Sequence, residues 1–374
     1  MNHSNEHISG VESLAGFDRA PEVFVTNFHR RFTGVSATAN AVVSGQKSRL
    51  KLCLVGDPLP DAPEPLSYQR ALRSSYQRPS NRPFSIWHVR RNIEMSAAIF
   101  ARDILRLPVR IVFTSAAIRR HSAFPRALIS RMDAVVATTE TAGSLVPNLA
   151  SVVPHGVDTQ KFTPADDRFL AWQATGLPGK HGIGIVGRVR AEKGTDLFVE
   201  SMCELLPTNP DFTAVVIGRA KPEDSAFEKA LKAKIDARGL TNRIVFVGEV
   251  PSHELPSWMR SLSLLVAPAR YEGYGMTVLE ALSSGVPVVA ADTGVYSSVI
   301  EEGVTGQVVP IGNRAALQHA IQDMIQYPNK LHKAGQLGRS FAEQSLSLNN
   351  EVDGYQQVYE RLWDGESFRD RHAA

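Results

Sequence analysis

The sequence contains few cysteines and no long apolar segment. Its two cysteines, Cys53 and Cys203, each lie in an apolar run, which indicates small buried residues and argues against a disulfide or a metal pair. No stretch reaches the roughly 18 consecutive apolar residues that a membrane-spanning helix needs. Residues 1–20 are polar and lack the apolar core of a secretion signal, so we expect a flexible tail there and a cytoplasmic protein.

Lysine is absent from residues 66–135, whereas 13 arginines and only three acidic residues occur there. The formal net charge of the whole chain is only +3, so this positive excess is local. It favours an anionic partner, which means a phosphate, an acidic sugar, a membrane surface or a nucleic acid. For most of these arginines taken singly, a solvated surface is the alternative.

Strand-like apolar runs alternate with helical patterns along the chain. The runs are residues 22–26, 50–55, 84–89, 109–113, 133–138, 151–153, 182–187, 212–218, 243–248, 262–267, 286–291 and 306–310. Buried runs separated by helices predict parallel sheets that are covered on both faces. The alternation restarts after residue 155, and 374 residues exceed what one core usually supports. We therefore predict two α/β domains, with ligands bound beyond the carboxyl ends of their strands.

The sequence argues against a dehydrogenase, because no strand leads through Gly-x-Gly-x-x-Gly into a helix with an acidic residue downstream. The most informative stretch is instead "RYEGYGMTVLEALSSGVPVV", residues 270–289, in which Glu272 and Glu280 stand eight residues apart. Backbone amides of Gly273, Tyr274, Gly275 and Met276 would be free at the start of a helix, where they suit a phosphorylated or polyhydroxylated ligand. The Glu280 carboxylate could accept the paired hydroxyls of a ribose. An ordinary surface glutamate would explain Glu280 alone, but not the glycines and Glu272 together.

A second constellation is "GIVGRVRAEKGTDLF", residues 184–198. A buried strand ends at Gly187, and Arg188 and Lys193 flank a loop that leads into the next helix. Two cations beside a helix start suit a diphosphate.

In combination these motifs resemble the retaining glycosyltransferases of the GT-B fold, family 4. The matching text is "PHGVDTQKFTP", "GRVRAEKG", "VIGRA", "VFVGEVP", "YEGYGMTVLEALSSGVPVVAADTGV" and "EGVTGQVV", from about residue 152 to 310. The resemblance implies two Rossmann-like domains that face each other across a deep cleft. Residues 21–153 would form the acceptor-side domain and 154–345 the nucleotide-sugar domain. Residues 346–374 would form a helix crossing back to the first domain, anchored by Tyr359 and Trp363.

By this resemblance, Arg188 and Lys193 would hold the donor diphosphate and stabilise the departing nucleotide without a metal. Glu280 would bind the ribose, and Glu272 with the amides of Gly273 to Met276 would contact the sugar and the distal phosphate. The base would lie near Gly248 to Pro251. Further donor-site positions implied are Gly34, Gly187, Gly218, Arg219 and Val250. In the first loop, Thr33 replaces one of two glycines that the family usually has.

One departure concerns a His-x-His motif of the family, because "WHVRRNIEM" keeps His88 but has Arg90 in the second position. Either the protein is inactive, or Arg90 binds an acidic acceptor; we favour the second, since a guanidinium pairs with a carboxylate through two hydrogen bonds. With "VFTSAAIRRHSAF" and "RMDAVVATTETAGS", this text resembles the lipopolysaccharide core mannosyltransferases of alpha-proteobacterial type. That resemblance implies GDP-mannose as donor and the Kdo sugar of the lipid A inner core as acceptor. Acceptor-side candidates are then His88, Arg90, Arg91, Ser115, Arg119, Arg120 and His121.

Alternatives remain open at this point. Arg119 and Arg120 could be solvated surface residues, and His121 could cap a helix. We expect a retaining, metal-independent mannosyltransferase that docks on anionic lipid at the inner face of the inner membrane and binds no nucleic acid. The rivals are a hexosyltransferase using a UDP-sugar and another glycolipid acceptor, and a non-catalytic protein that binds a nucleotide sugar or lipid. The sequence does not determine the oligomeric state.

Overall fold

The computed structural model describes residues 20–31, 33–60, 62–117 and 119–369, without the side chain of Pro328. Residues 1–19 of the predicted tail and residues 370–374 of the predicted C-terminal segment lie outside this part of the chain.

The first half of the chain folds around a six-stranded sheet in which every strand pair is parallel. Its elements are β1 (Val23–Asn27), α1 (Gly34–Gln46), β2 (Leu52–Gly56), α2 (Tyr68–Ser74), β3 (Ser85–Val89), α3 (Asn92–Ile99), a π-helical turn (Phe100–Ile104), β4 (Val109–Ser115), α4 (Ala123–Ile129), β5 (Ala134–Ala137), α5 (Glu140–Gly143) and β6 (Leu149–Val152). The strand order is β2-β1-β3-β4-β5-β6.

A second parallel six-stranded sheet follows. Its elements are α6 (Arg168–Gln173), β7 (His181–Val186), α7 (Thr195–Leu205), β8 (Phe212–Ile217), α8 (Ser225–Asp236), β9 (Ile244–Gly248), α9 (Leu255–Ser261), β10 (Leu262–Ala267), α10 (Met276–Ser283), β11 (Val288–Ala291), α11 (Tyr296–Val299), β12 (Gly306–Val309), α12 (Arg314–Gln326), α13 (Pro328–Ser345) and α14 (Leu348–Trp363); short 3₁₀ turns occur at Ala191–Lys193, Leu206–Thr208 and Pro222–Asp224. The strand order is β12-β11-β10-β7-β8-β9.

Each sheet is covered on both faces by separate apolar clusters. Phe24, Trp87 and Ile111 belong to the cluster on one face of the first sheet, and Val25, Ile86 and Val112 to the cluster on the other. Two further clusters enclose the second sheet. Burial on both faces explains why the strands are continuous apolar runs, and all twelve predicted runs contain or overlap a strand. The predicted α/β class with two Rossmann-like domains is confirmed.

The chain passes from the first sheet to the second and returns, and the two crossing segments are paired. The amide of Val157 donates to the carbonyl of Leu346, and the amide of Leu348 donates to the carbonyl of Val157, both at 2.8 Å. Helix α14 then packs against α1, β5 and β6 of the first half. Tyr359 and Trp363 are buried there, and the indole of Trp363 donates to the carbonyl of Phe84 at 3.0 Å. Within the described residues, no helix combines the length and the apolar character needed to cross a bilayer.

Candidate active site

The strand order reverses once in each sheet, between β1 and β3 and between β7 and β10. At such a point the loops that follow two neighbouring strands run to opposite faces, which opens a crevice at their carboxyl ends. The loops after these four strands carry Gly34, Arg90, Arg188 and Glu272, in that order. The topology therefore brings predicted site residues from both halves of the chain to the positions where such sheets bind ligands.

Glu272, between β10 and α10, is held by three groups. Its carboxylate accepts from Lys193 Nζ at 2.5 Å, from the backbone amide of Gly273 at 3.0 Å and from the hydroxyl of Tyr296 at 3.3 Å. Burial, followed by the charge of Glu272, raises the pKa of the Tyr296 phenol, so this hydroxyl stays a donor. The ion pair joins two residues predicted to serve the same ligand, although they are 79 positions apart in the chain.

Close packing fixes the loops after β7 and β10 against each other. Gly194, at φ +70°, leaves no room for a side chain, because a Cβ there would lie 2.1 Å from the carbonyl oxygen of Pro268. Arg270 reinforces this contact, since its guanidinium binds both carboxylate oxygens of Asp196 at 2.7 and 2.8 Å. The amide of Arg270 also donates to the carbonyl of Glu192 at 2.8 Å. The two loops that carry Lys193 and Glu272 are thus fixed in position relative to each other.

A cavity of about 410 Å³ lies at the carboxyl ends of β7, β8 and β9. It is lined by Val186, Gly187, Arg188, Ile217, Gly218, Arg219, Lys221, Glu249, Val250 and Leu255. A small adjoining recess is lined by Gly187 and Arg188 together with Lys193, Thr195, Glu272 and Tyr296. Five predicted donor-site residues therefore share one cavity, and Lys193 and Glu272 lie at its edge.

Arg188 is one of three exposed cations that line this cavity, with Arg219 and Lys221. Among the residues that the structure describes, no carboxylate lies within 4.0 Å of its guanidinium, whereas Arg219 pairs with Glu249 at 2.6 Å. Lys221 also lines the cavity and was not identified from the sequence, whereas Glu249 falls within the range predicted to lie near the base. The available signal for Lys221 was its position in the loop that follows β8, because the end of β8 shares a sheet edge with the end of β7.

Glu280 lies in the second turn of α10 and is partly exposed. Burial of its carboxyl group raises the pKa to about 7, and the nearby charge of Lys161 opposes this shift. Its carboxyl group accepts no hydrogen bond from any group that the structure describes. A carboxylate with free acceptor capacity is what a pair of ligand hydroxyls requires.

At the carboxyl end of β1, Thr33 caps α1, and its hydroxyl accepts from the amide of Ser36 at 3.4 Å. The threonine that departs from the family's glycine pair therefore has a local structural role. The next residue, Gly34, has open space on its Cβ side. The guanidinium of Arg91 holds this loop, because it donates to Asn27 Oδ1 at 3.1 Å and to Ser36 Oγ at 3.0 Å. Arg91 is therefore engaged by the protein itself.

Glu94, which sequence reasoning did not identify, organises the first-sheet side of the site. Its fully buried carboxylate accepts from the Thr26 hydroxyl at 2.9 Å, from the amides of Phe28, Arg90 and Arg91 at 3.1, 2.8 and 3.2 Å, and from Arg91 Nη1 at 2.9 Å. It ties the end of β1 to the turn between β3 and α3. The available signal was its position three residues after the N-cap of α3, as in a capping box.

Three predicted acceptor-side residues have buried polar atoms without a hydrogen-bond partner. They are Nη1 and Nη2 of Arg90, Oγ of Ser115 and Nε2 of His121, at or beyond the carboxyl ends of β3 and β4. Arg90 and Ser115 are buried residues, and burial lowers the pKa of His121. Buried polar groups in native proteins are nearly always paired, so these atoms are open to a ligand; buried atoms of Gln46, Arg168, Arg190 and Ser284 also lack a partner. Because Arg90 is cationic, an anion suits it.

The structure corrects the expectation that His88 contacts an acceptor. Its side chain is fully buried, with Nδ1 2.5 Å from the hydroxyl of Tyr359 and Nε2 2.6 Å from Oγ1 of Thr114. Burial, followed by the positive charge of Arg90, holds its pKa well below the usual value. Both ring nitrogens are therefore occupied within the fold, and His88 fastens α14 to β3 and β4.

The other predicted site residues differ in whether their side chains are exposed or point into the protein. Arg119 and Arg120 are exposed beyond β4, and no carboxylate of the described chain lies within 4.0 Å of either. The side chain of Tyr274 points inward, with its hydroxyl 3.2 Å from the carbonyl of His155, so only its backbone faces the loop. The specific ligand roles of all these residues stay predictions.

Comparison with known proteins gives near full-length matches. The chain is 41% identical over 345 residues to the lipopolysaccharide core biosynthesis mannosyltransferase LpcC of Rhizobium leguminosarum bv. viciae, covering 92% of this chain and 97% of that protein. It is 42% identical over 350 residues to the corresponding enzyme LpsB of Rhizobium meliloti, covering 92% and 98%. A family model described as "Glycosyl transferases group 1" matches residues 173–341.

Among solved structures, the crystal structure of Anabaena HepE in complex with UDP superposes with a TM-score of 0.76. The match covers 92% of this chain and all of that one, at 17% sequence identity. At this identity the likeness establishes the shared two-domain fold.

Proposed function

The chain belongs to the group 1 glycosyl transferases, and on that premise we propose that it transfers mannose from GDP-mannose, with retention, to the Kdo sugar of the lipopolysaccharide inner core. The observation that carries the proposal is the near full-length identity to two lipopolysaccharide core mannosyltransferases. The donor, the Kdo acceptor and the retaining course come from the resemblance of the motifs described above. The reaction would take place at the cytoplasmic face of the inner membrane.

On the donor side, the chemistry requires that negative charge on the departing diphosphate be stabilised. Arg188 and Lys193 supply two cations at the β7–α7 loop, and Lys193 is already oriented by Glu272. Fixed cations in a preorganised site lower the barrier because they need no reorganisation as the charge develops. In the proposed reaction they take the place of a metal ion. The acceptor hydroxyl attacks the anomeric carbon from the face on which the diphosphate leaves, its proton passes to the leaving phosphate, and no protein nucleophile takes part.

On the acceptor side, the proposal assigns the Kdo carboxylate to Arg90, Ser115 and His121. A carboxylate would satisfy the two unpaired guanidinium nitrogens of Arg90 with parallel hydrogen bonds. Ser115 could donate to the same group or to a neighbouring hydroxyl. This assignment explains why an arginine stands where the family has a histidine.

The direct test is a donor and acceptor screen with purified protein. We expect transfer from GDP-mannose to a Kdo-bearing lipid A precursor, and little or none from UDP-glucose. Transfer from UDP-glucose alone would establish the rival hexosyltransferase. Donor binding without transfer to any acceptor would establish the non-catalytic rival.

Replacing Arg90 by methionine is expected to lower kcat/KM for the acceptor roughly 10- to 100-fold, because charge-assisted hydrogen bonds to the carboxylate are lost. Arg90→Lys keeps the charge but loses the two-pronged geometry, so we expect an intermediate loss. Steady-state kinetics with varied acceptor measures both effects, and the donor KM should stay within about twofold if the two subsites are independent.

The matched control is Arg78→Met, which removes an exposed arginine of the same half of the chain. A second arm uses an acceptor whose Kdo carboxylate is reduced to an alcohol. That acceptor should be poor for the unmodified protein and no poorer for Arg90→Met. Additive losses from the two changes would refute the assignment of the carboxylate to Arg90.

Donor binding is expected to strengthen as the pH rises through about 7, because Glu280 then becomes the ionised acceptor that ribose hydroxyls prefer. The donor KM should therefore fall between slightly acid and slightly alkaline pH, and Glu280→Gln should raise the KM and flatten this dependence.

The free energy of unfolding should change with pH in the opposite direction to donor affinity. Without donor, the folded protein holds this proton more tightly than the unfolded chain, so stability falls as the pH rises from 4.5 to about 7.

Calorimetric titrations with donor across this pH range measure the change in donor affinity directly. Glu302→Gln is the control, since Glu302 is an exposed glutamate that accepts from the amide of Val308 at 2.7 Å. An unchanged pH slope in Glu280→Gln would contradict the proposed ribose contact.

A further inference from the structure

Another cavity, of about 510 Å³, lies between α6 and α13 in the second half of the chain and is called here the α6–α13 cavity. Its lining includes Asp166, Arg168, Gly285, His332, Gln336 and Arg339. Gly285 joins the end of α10 to the start of β11, so this cavity lies at the amino-terminal edge of the second sheet. The cavity that contains Arg188 lies at the opposite edge, beyond the carboxyl ends of β7, β8 and β9. The two cavities are therefore separate.

Arg168 brings a cation without a counter-charge to the α6–α13 cavity. Its Nη2 atom donates to the carbonyl of Gly285 at 2.7 Å, whereas its Nε atom is buried and has no hydrogen-bond partner. The guanidinium forms no ion pair with an acidic residue of the described chain, and burial lowers its pKa without an opposing charge. A partly desolvated cation with an open donor is stabilised by an anion that enters from solution.

One face of α13 adds further donors to this cavity. His332 and Gln336 are four residues apart and therefore share that face. Both residues are exposed, and their side chains make no hydrogen bond with any residue that the structure describes. Arg339 adds a second positive charge, which Glu343 neutralises in part through an ion pair at 2.7 Å. The donors on α13 thus lie across the cavity from Arg168.

The walls of the cavity are fixed by contacts with the end of α10. Gly335 of α13 packs directly on the turn after α10, because a Cβ there would lie 2.0 Å from the carbonyl oxygen of Gly285. Arg339 Nη1 donates to the carbonyl of Ser283 at 2.7 Å, in the same region where Arg168 donates to Gly285. The donors are therefore held in place before a ligand binds, which lowers the entropic cost of binding.

We propose that the α6–α13 cavity binds a small phosphorylated solute, with its phosphate group on Arg168. A phosphate offers three terminal oxygens, and Arg168, His332 and Gln336 supply donors from two sides, which exceeds what the two oxygens of a carboxylate require. The volume of about 510 Å³ lies in the range of small-molecule sites and leaves room for a sugar beside the phosphate. This inference goes beyond the proposed function and does not depend on its donor or acceptor.

The test is calorimetric titration with glucose 6-phosphate and with inorganic phosphate. Because Arg188 and Lys193 also suit phosphate, the titrations use the full-length protein in which both are replaced by methionine. We expect one molecule of glucose 6-phosphate to bind per chain, and inorganic phosphate to bind more weakly because it lacks the sugar contacts. Adding Arg168→Met should raise the Kd for glucose 6-phosphate about tenfold or more, since charge-assisted hydrogen bonds are lost.

A second variant does not touch the contacts of Arg168 with Gly285. His332→Ala combined with Gln336→Ala removes two exposed side chains and should raise the Kd roughly 3- to 10-fold. The matched controls are Arg238→Met and His319→Ala, which remove exposed residues outside the cavity and should leave the Kd unchanged. Circular dichroism checks that each variant folds. Absence of binding before these changes, an unchanged Kd in the His332 and Gln336 variant, or an equal loss in the controls would overturn the proposal.

Asp166 distinguishes an anionic from a cationic ligand. Its carboxylate lines the cavity, is exposed, and forms no ion pair within the part of the chain that the structure describes. It repels an anion through a solvent-screened interaction, so Asp166→Asn should lower the Kd for glucose 6-phosphate about 2- to 5-fold. A higher Kd in Asp166→Asn would contradict the binding of a phosphate group.

Vesicles that contain phosphatidic acid distinguish a free solute from a lipid phosphate, because both carry the same phosphate chemistry. We expect any vesicle binding to be the same with and without Arg168→Met. Vesicle binding that depends on Arg168, in a protein that does not bind glucose 6-phosphate, would overturn the assignment to a free solute. Binding of glucose 6-phosphate through Arg168 in a protein that transfers no mannose would refute the proposed function and support this inference.

Discussion

Replacing both Arg188 and Lys193 by methionine is expected to lower kcat about 10³-fold, with a smaller change in donor affinity. Each cation stabilises charge that develops on the departing diphosphate, and removing one such group costs roughly 10²-fold or more. The expectation follows from their positions, since Arg188 lines the cavity without a carboxylate partner and Lys193 is held against Glu272 beside it. Single-turnover kinetics with GDP-mannose measures the chemical step directly.

The control is Lys180→Met, which removes an exposed lysine just before β7, at the opposite end of that strand from Arg188. Lys193→Arg serves as the second control, because it keeps the charge near Glu272. A chelator should leave the activity of the unmodified protein unchanged. Full activity of the double methionine variant, or complete inhibition by the chelator, would contradict the proposed metal-independent stabilisation.

The fold was predictable because most strands are buried on both faces, the edge strands β6 and β9 being only partly buried. Runs such as "FTAVVIG" and "LSLLVA" contain no polar face, and the helices between them account for every parallel connection. The alternation of runs did not determine the order of strands. That order decides where the crevices lie, and it places the loops with Arg90 and Arg188 at the switch points.

The site was only partly predictable, because several of its contacts join residues far apart in the chain. Glu94 accepts from Thr26, which is 68 residues away, and no local pattern reveals that pairing. The prediction for His88 was wrong for the same reason, since its partner Tyr359 lies 271 residues later. By contrast, Glu272 and Lys193 belong to local motifs with distinctive glycines, and the structure brings those two residues into contact.

Glu94→Ala is expected to lower the free energy of unfolding by about 3–5 kcal/mol. It breaks a buried ion pair and leaves several hydrogen-bond donors without an acceptor. The amides of Phe28, Arg90 and Arg91 would lose their acceptor, the fully buried carboxylate of Glu94, and Arg91 would lose its charge partner. Denaturant unfolding monitored by tryptophan fluorescence measures the change. Trp87, in the core beside β1, reports on this half of the chain.

Loss of Glu94 should also reduce activity, because its carboxylate fixes the backbone that carries Arg90. We expect Glu94→Gln to lose less stability than Glu94→Ala, because the amide oxygen of glutamine still accepts hydrogen bonds. Some loss remains, because the NH2 group cannot accept from the donors around it. The control Glu64→Ala removes an exposed glutamate and should change stability by no more than about 0.5 kcal/mol. If the acceptor KM rises in Glu94→Gln under conditions where the protein is fully folded, Glu94 positions Arg90; an unchanged KM would restrict Glu94 to a role in stability.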